Sequence, residues 1–314
     1  MIIMANNVDY YKFETLEEAY PIAMSLDHAM YKPIHIGEPG FTTTEKTASQ
    51  VFKAIVNKRT DVEVNVPTTE WRIIQHPDFF IGVIDKIKKA QLDGHGKFVV
   101  MGDGNKVKMQ ILFNDIEKIA EPGFGRNIQV GGEFVNSYMG DASAAGRAFY
   151  MRISCFNQFT LANVIPEVKF SRIHRAQDDA KILEEVLGRV DDYIIKLLGS
   201  GKVQFKHVMD MAMEKTVQFE SEPQLVKTLV DFTGTSKHGA KVAEILLDQA
   251  GSGKLAFSQW DIYNAVTQHA THDMKSEGVR ENLLRKGESR LLKPMAIFVP
   301  AIMQDEDAVE ATTV

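Results

Sequence analysis

The sequence has almost no cysteine: Cys155 is the single one among 314 residues. This excludes a disulfide framework and a zinc site built from cysteines, and it fits the reducing cytosol. No apolar run approaches the ~20 residues of a membrane-spanning helix, and 10 prolines and 22 glycines exclude a collagenous chain. The opening residues lack the basic segment and apolar stretch of a secretion signal. We therefore expect a globular, cytoplasmic protein that does not bind membranes.

The sequence also lacks the signatures of common enzymes. It contains no phosphate-binding P-loop, no dinucleotide-binding glycine motif, no nucleophile elbow and no H-E-x-x-H zinc motif. His269 and His272 are spaced to hold a metal, but without a second ligand pair we favour the end of a surface helix. Cys155 follows an apolar strand and is better explained as a small buried side chain than as a nucleophile. We predict no catalytic residue, no metal and no cofactor, and a non-enzymatic protein is favoured.

Charge is unevenly distributed along the chain. The formal net charge is −6, which by itself disfavours a polyanionic partner. Residues 126–175, however, contain six basic and three acidic side chains, a net +3, which leaves −9 for the rest. Part of this negative charge lies in the last ten residues. The middle of the chain therefore remains a candidate for binding nucleic acid.

The order of sequence patterns predicts an α+β fold, with a central antiparallel sheet of about four to five strands followed by a mostly helical C-terminal half. Four segments are predicted, namely a mixed N-terminal segment (1–66), an α+β core (67–200), a helical region (201–293) and an acidic, flexible tail (294–314).

The strongest strand signal is a hairpin, because residues 97–101 and 106–113 flank Gly102-Asp103-Gly104-Asn105. From 106 to 111, lysine or glutamine alternates with an apolar residue, which predicts a dry face and a wet, basic face bearing Lys106 and Lys108. Further strands are predicted at 127–130, 133–139 and 147–154.

Spacings of three and four residues between apolar side chains predict the helices. A helix over 42–56 would begin at Thr44 as N-cap, and a strand over 60–66 would follow it. The remaining helices are predicted at 79–90, 182–198, 205–215, 223–232, 238–249, 258–272 and 277–292, with Gly199 and Gly201 ending the second of these.

An aromatic residue and several bases occur together in residues 147–157. If this stretch is a strand, its period of two places Tyr150 and Arg152 on the same face. An open face of this kind suits single-stranded nucleic acid, because bases stack on the ring while the cation meets phosphate. The alternative is that Arg152 pairs with a carboxylate and Tyr150 packs under a helix.

Other bases extend this candidate surface. The basic residues just before the long helix predicted at 182–198 lie near the positive end of its dipole, where cations are unfavourable. This hints that a bound anion compensates their charge. The predicted nucleic-acid-binding residues are Lys106, Lys108, Arg147, Tyr150, Arg152, Lys169, Arg172 and Arg175.

Four short motifs, spread over about residues 95–275, resemble a phage- and plasmid-like family known as domain of unknown function 932. They are N-S-Y-M-G-D at 136–141, R-I-S-C-F-N at 152–157, R-I-H at 172–174 and W-D-I-Y-N-A-V-T at 260–267. Tyr138 stands where the family often has histidine, and residues 172–175 do not reproduce its R-H-T pattern. The resemblance implies a phage or plasmid protein of DNA replication or recombination, similar to strand-annealing recombinases.

The leading hypothesis is a protein that binds or anneals single-stranded DNA, in the host cytoplasm if a phage encodes it. It would assemble into a homo-oligomeric ring or filament, and its acidic tail would contact a replication or recombination protein. The alternative is a phage structural or host-interaction protein without nucleic-acid binding. A third hypothesis is a nuclease that holds a divalent metal with Asp103, Glu133 and Asp141.

Overall fold

The computed structural model describes residues 8–36, 47–121, 126–152, 157–160, 169–172, 174, 178–251 and 253–293. The chain forms two compact units, each of which combines three stretches of sequence. Unit 1 comprises Met1–Glu117, Val130–Ala148 and Glu167–Gly199, and unit 2 comprises Lys118–Gln129, Phe149–Pro166 and Ser200–Val314. Residues 294–314, the predicted tail, lie outside the described residues.

The strands are β1 (Val8–Phe13), β2 (Ala29–Ile36), β3 (Thr47–Asn57), β4 (Glu63–Asn65), β5 (Gly94–Met101), β6 (Lys106–Phe113), β7 (Ile119–Glu121), β8 (Arg126–Ser137), β9 (Ala144–Arg152), β10 (Asn157–Thr160), β11 (Lys169–Arg172), β12 (Thr216–Gln218) and β13 (Ala256–Ser258). The helices are α1 (Leu16–Met24), α2 (His76–Lys89), α3 (Asp179–Lys196), α4 (Lys202–Glu214), α5 (Glu222–Thr233), α6 (Ser236–Ala250), α7 (Gln259–His272) and α8 (Glu277–Gly287). Two π-helical turns follow α3 and α8, at Leu197–Gly201 and Glu288–Leu292. This composition confirms the predicted α+β class, with helices concentrated in the C-terminal half.

The main sheet of unit 1 is antiparallel and has the strand order β1-β5-β6-β8-β9-β11. It contains more strands than the four or five predicted, because β1 and β11 add to its edges. The predicted hairpin of β5 and β6 is confirmed, and its turn holds Asp103 and Gly104 at φ 53° and 89°. At Gly104 a Cβ atom would lie 2.0 Å from the Asp27 carboxylate, so the turn needs glycine there.

One face of this sheet is apolar and is covered by helices. Phe98 on β5 meets Phe80 of α2 at 5.5 Å between ring centroids, and Phe134 on β8 meets Tyr193 of α3 at 5.6 Å. All four rings are almost completely buried. Edge-to-face aromatic pairs of this kind add to the stabilisation from apolar burial. The opposite face of the sheet carries the polar residues described below.

The helix predicted over 42–56 is wrong, since residues 47–57 form strand β3 between β2 and β4. Ala54, Ile55 and Val56 are all buried, so this part of β3 is covered on both faces. A strand without alternation offers apolar residues at helical spacing by chance, which explains the error. Thr44, the predicted N-cap, lies outside the described residues. The strand predicted over 60–66 is shorter, at Glu63–Asn65.

The helices predicted after residue 178 are confirmed, with ends shifted by a few residues. Ser258 caps α7 as predicted, in a reciprocal capping box with Asp261. Gly199 and Gly201, by contrast, do not end the long helix. Residues 197–201 form a π-helical turn that leads directly into α4, because no proline or left-handed residue interrupts the chain there.

Unit 2 is built on helices α4 to α8, with the two-stranded sheet of β12 and β13. It also contains the pairs β7–β8, over 126–128, and β9–β10, over 149–152. Helix α7 lies at its centre, and Trp260, Tyr263 and Val266 of this helix are completely buried.

Candidate nucleic-acid interface

Cross-strand register brings polar residues of six strands onto one face of the unit 1 sheet. Directly opposed residues of antiparallel strands lie on the same face. Lys12 opposes Lys97, Lys97 opposes Gln110, and Gln110 opposes Glu133. Arg147 donates a hydrogen bond to Glu133 and opposes Lys169. We call this surface the polar sheet face, comprising Tyr10, Lys12, Lys97, Lys108, Gln110, Glu133, Arg147 and Lys169.

A buried ionic network occupies the centre of the polar sheet face. The Glu133 carboxylate lies 2.6 Å from Nη2 of Arg147 and 3.8 Å from Nζ of Lys108, and it accepts a 2.6 Å hydrogen bond from Gln110. Burial alone would raise the pKa of Glu133, but the charges of Arg147 and Lys108 outweigh it and bring that pKa to about 2. Glu133 is therefore ionised at neutral pH and ties β6, β8 and β9 together.

The two edges of the polar sheet face are open to solvent. Lys12 on β1 and Lys169 on β11 are exposed. The ring of Tyr10, 57% exposed, lies on the same face as Lys12, with Nζ of Lys97 at 5.6 Å from its centroid. Five strand spacings of ~4.8 Å separate β1 from β11, a width of roughly 24 Å. The edges therefore combine cations with an accessible aromatic ring.

The predicted open face at Tyr150 is wrong, because this ring is completely buried in unit 2. It stacks on Phe205 of α4 at 4.0 Å between centroids, and its hydroxyl donates to the carbonyl of Gly201 at 3.3 Å. Burial raises the pKa of the Tyr150 hydroxyl. A base cannot stack on a ring that is already covered by a helix.

Arg152 is also buried, at 1% exposure, and so is not available to phosphate. It forms an ion pair with Glu121, and the same carboxylate accepts hydrogen bonds from Nε1 of Trp260 at 2.8 Å and Nδ2 of Asn264 at 3.3 Å. The alternative considered from the sequence, a carboxylate partner for Arg152 and a helix over Tyr150, is what the structure shows.

The other predicted bases differ in accessibility. Lys108 is 4% exposed, so the prediction of a wet face at this position is wrong: β6 is buried on both faces. Lys106 pairs with Asp141 at 2.8 Å, and Arg172 pairs with Glu185 at 2.8 Å. Arg147 is one-third exposed and Lys169 is exposed. Arg175 and Cys155 lie outside the described residues.

The short motifs of residues 136–141 and 260–267 form buried hydrogen-bond networks rather than an open site. In unit 1, Tyr138 stacks on His76 at 3.8 Å and donates to the carbonyl of Asp27, while Asn136 donates to the carbonyl of Ile74. Burial lowers the pKa of His76 to about 3, so this ring is neutral at physiological pH. These buried contacts stabilise the fold of unit 1.

In the described part of the chain, Asp103, Glu133 and Asp141 do not form the metal site considered for a nuclease. Glu133 is held by Arg147 and Lys108, and Asp141 by Lys106 and Ser137. Among the described residues, no group of three or more histidine, cysteine, aspartate or glutamate side chains converges to hold a metal ion.

The prediction that His269 lies on the surface at the end of a helix is wrong. This residue, near the end of α7, is only 3% exposed. Its ring nitrogens lie 2.9 Å from Nδ1 of His238 and 2.8 Å from the Asp273 carboxylate. His238 is 31 residues away in the chain and was missed because nothing in the sequence links it to His269.

Comparison with protein-family models, with curated proteins and with solved structures found no match to this chain. The family resemblance of the motifs therefore stays a prediction. Within the described residues, no helix has the length and apolarity needed to cross a membrane.

Proposed function

We propose that this protein binds single-stranded DNA at the open edges of the polar sheet face, without catalysis, and acts in recombination or replication of a phage or plasmid. The observation that supports it most is the placement of Lys12, Lys169 and the exposed Tyr10 on one face of a single sheet. A base can stack on Tyr10 while Lys12 contacts an adjacent phosphate and Lys169, at the other edge, contacts a phosphate farther along the strand.

The ionic network around Glu133 holds the side chains of the polar sheet face in fixed positions. Arg147 is half-buried and is oriented by Glu133, so its guanidinium holds a fixed position without rearrangement when a strand binds. Lys97, Lys12 and Lys169 complete a set of four cations that phosphate could reach. With Lys108 buried against Glu133, the exposed edges carry the net positive charge of this face.

Assembly into a ring or filament belongs to the same proposal. Within the described residues β1 pairs with β5 alone, so its second edge is open to a strand from another copy. An oligomer would align the polar sheet faces of successive copies and hold a longer strand with its bases available for annealing. Contact of residues 294–314 with a partner protein remains part of this proposal.

Fluorescence anisotropy of a labelled oligonucleotide, measured across a salt series, tests the proposal. Four phosphate contacts give a log–log slope of about −3, and the double change Lys12→Gln and Lys169→Gln should reduce it to about −1.4. Lys89→Gln with Lys254→Gln is the matched control, because both lysines are exposed and neither belongs to the polar sheet face. Each double variant lowers the formal net charge of −6 by two.

The slope decides between the proposal and the alternative of a phage structural or host-interaction protein. Ion pairs such as Lys106–Asp141 and Arg172–Glu185 favour that alternative, since they engage bases that were predicted to meet DNA. No binding at low salt, or equal slopes for the two double variants, would overturn the proposed interface.

A further inference from the structure

A cleft in unit 2 lies where α6, α7 and the start of α8 meet. Its volume is about 870 Å³. Its charged and titratable lining residues are Lys237, His238, Lys241, Glu244, His269, Asp273 and Lys275. None of these residues belongs to the polar sheet face of unit 1.

A chain of hydrogen bonds links Asp273, His269 and His238 in this cleft. An ionised carboxylate can only accept, so Nδ1 of His269 donates a hydrogen bond to Asp273 at 2.8 Å. When both rings are neutral, Nε2 of His269 carries a lone pair and accepts a hydrogen bond from Nδ1 of His238 at 2.9 Å. The remaining nitrogen, Nε2 of His238, is left with a lone pair. His238 lines the cleft and is half-buried, so this series of hydrogen bonds leaves a proton-accepting nitrogen on a residue of the cleft wall.

The cleft also contains two lysines that have no carboxylate partner among the described residues. Lys237 on α6 and Lys275 after α7 take part in no ion pair within the described residues, whereas Lys241 is paired with Glu244 at 2.6 Å. The first turn of α6 contains no acidic residue, so the positive end of its dipole adds to these charges. Ser276, the N-cap of α8, and Val279 of α8 also line the cleft and are uncharged. An anion is the ligand that such a cleft would stabilise.

We propose that this cleft binds a phosphate monoester group and that Nε2 of His238 takes up its acidic proton. The proton leaves the phosphate oxygen of the monoanion and forms the N–H bond of an imidazolium, so the ligand becomes a dianion and His238 a cation. The charged imidazole keeps its bond to His269, whose other nitrogen is bonded to Asp273. Lys237 and Lys275 then face the dianion. The site is in unit 2 and stands independently of the DNA-binding proposal.

The sign of the pH dependence follows from the groups involved. Burial, His269 and Lys237 lower the pKa of free His238 below its usual value, and a phosphate monoester has a second pKa of about 6. Above pH 7 both free partners have lost the proton that the complex holds. Affinity should therefore fall as pH rises, by up to about tenfold per pH unit.

Isothermal titration of the full chain with inorganic phosphate, at pH 6.5, 7.5 and 8.5 and in two buffers of different ionisation enthalpy, tests this site. We expect uptake of about one proton per phosphate at pH 8.5, because neither free partner then holds the proton that the complex holds. His238→Asn should abolish the uptake and weaken binding by about tenfold or more, since it removes a hydrogen bond to a charged group. His207→Asn, at an exposed histidine of α4, is the matched control.

Asp273→Asn provides a second variant. Its amide oxygen can still accept from His269, but the negative charge behind the imidazolium is lost, so proton uptake should decrease while the fold is kept.

Binding of a nucleoside monophosphate, or of a 5′-phosphorylated but not a 5′-hydroxyl oligonucleotide, would identify the source of the phosphate. Absence of phosphate binding at millimolar concentration, or binding without proton uptake that His238→Asn leaves unchanged, would overturn the proposal. Because Lys12→Gln with Lys169→Gln should not affect phosphate binding, failure here is distinguishable from failure of the DNA interface.

Discussion

Replacing Glu133 with glutamine tests whether the centre of the polar sheet face is an ionised network. Glutamine has nearly the same shape but no charge, so Lys108, at 4% exposure, would lose the carboxylate 3.8 Å from its ammonium group. The pKa of Glu133 falls from an ordinary 4.5 to about 2 in the folded chain. That difference corresponds to about 3 kcal/mol of stability at neutral pH.

The sign of the pH effect is fixed by the lowered pKa. A carboxylate with a depressed folded pKa stabilises the fold above its unfolded pKa, and this contribution is lost as pH falls through the folded value. The cost of Glu133→Gln should therefore be about 3 kcal/mol at pH 7 and about 1 kcal/mol at pH 3.

Urea denaturation of the two proteins at pH 7 and pH 3 measures both values. Glu185→Gln is the control, because Glu185 forms a half-exposed pair with Arg172 and should cost only about 0–1 kcal/mol. If Glu133→Gln costs no more than Glu185→Gln at pH 7, or costs as much at pH 3 as at pH 7, the reasoning about this network is refuted.

Two further predictions concern the exposed ring and the buried ion pair. Tyr10→Ala should weaken oligonucleotide binding by about 1–3 kcal/mol, roughly 5- to 150-fold, in the anisotropy assay. Tyr11→Ala should leave affinity unchanged, because Tyr11, 46% exposed, points to the other face of β1; equal losses would contradict stacking on Tyr10. Arg152→Met should lower the free energy of unfolding by about 3–5 kcal/mol in urea, because it leaves the buried Glu121 without its cation. Adding Glu121→Gln should recover part of this loss, and Lys206→Met, which breaks an exposed pair, should cost under about 1 kcal/mol.

Short sequence motifs were sufficient to predict the elements whose structure depends on neighbouring residues in the chain. The hairpin of β5 and β6 follows from its Asp-Gly turn, and the start of α7 follows from Ser258 as N-cap. Strand β3 was mistaken for a helix because burial on both faces removes the alternation that identifies a strand. Its neighbours β2 and β4 determine that burial, and a sequence pattern within residues 42–56 does not contain them.

The candidate surface could not be predicted for a related reason. Residues 126–175 carry a net positive charge, yet Arg152 and Arg172 pair with Glu121 and Glu185, which lie outside that segment. Charge counted along the chain therefore does not measure charge on a surface.

Which bases reach solvent depends on cross-strand register. Lys169 is among the predicted residues, whereas Lys12 is not, because it lies more than a hundred residues before Lys169 in the chain. The two come onto one face only because β1 and β11 are added to opposite edges of the same sheet. Since both strands are at edges, their side chains have fewer neighbours than those of β6 and β8, and this is why Lys12 and Lys169 stay exposed while Lys108 and Glu133 are buried. If single-stranded DNA binds this face, its phosphates should therefore meet the edge strands first, and the central network should act by fixing the separation between them.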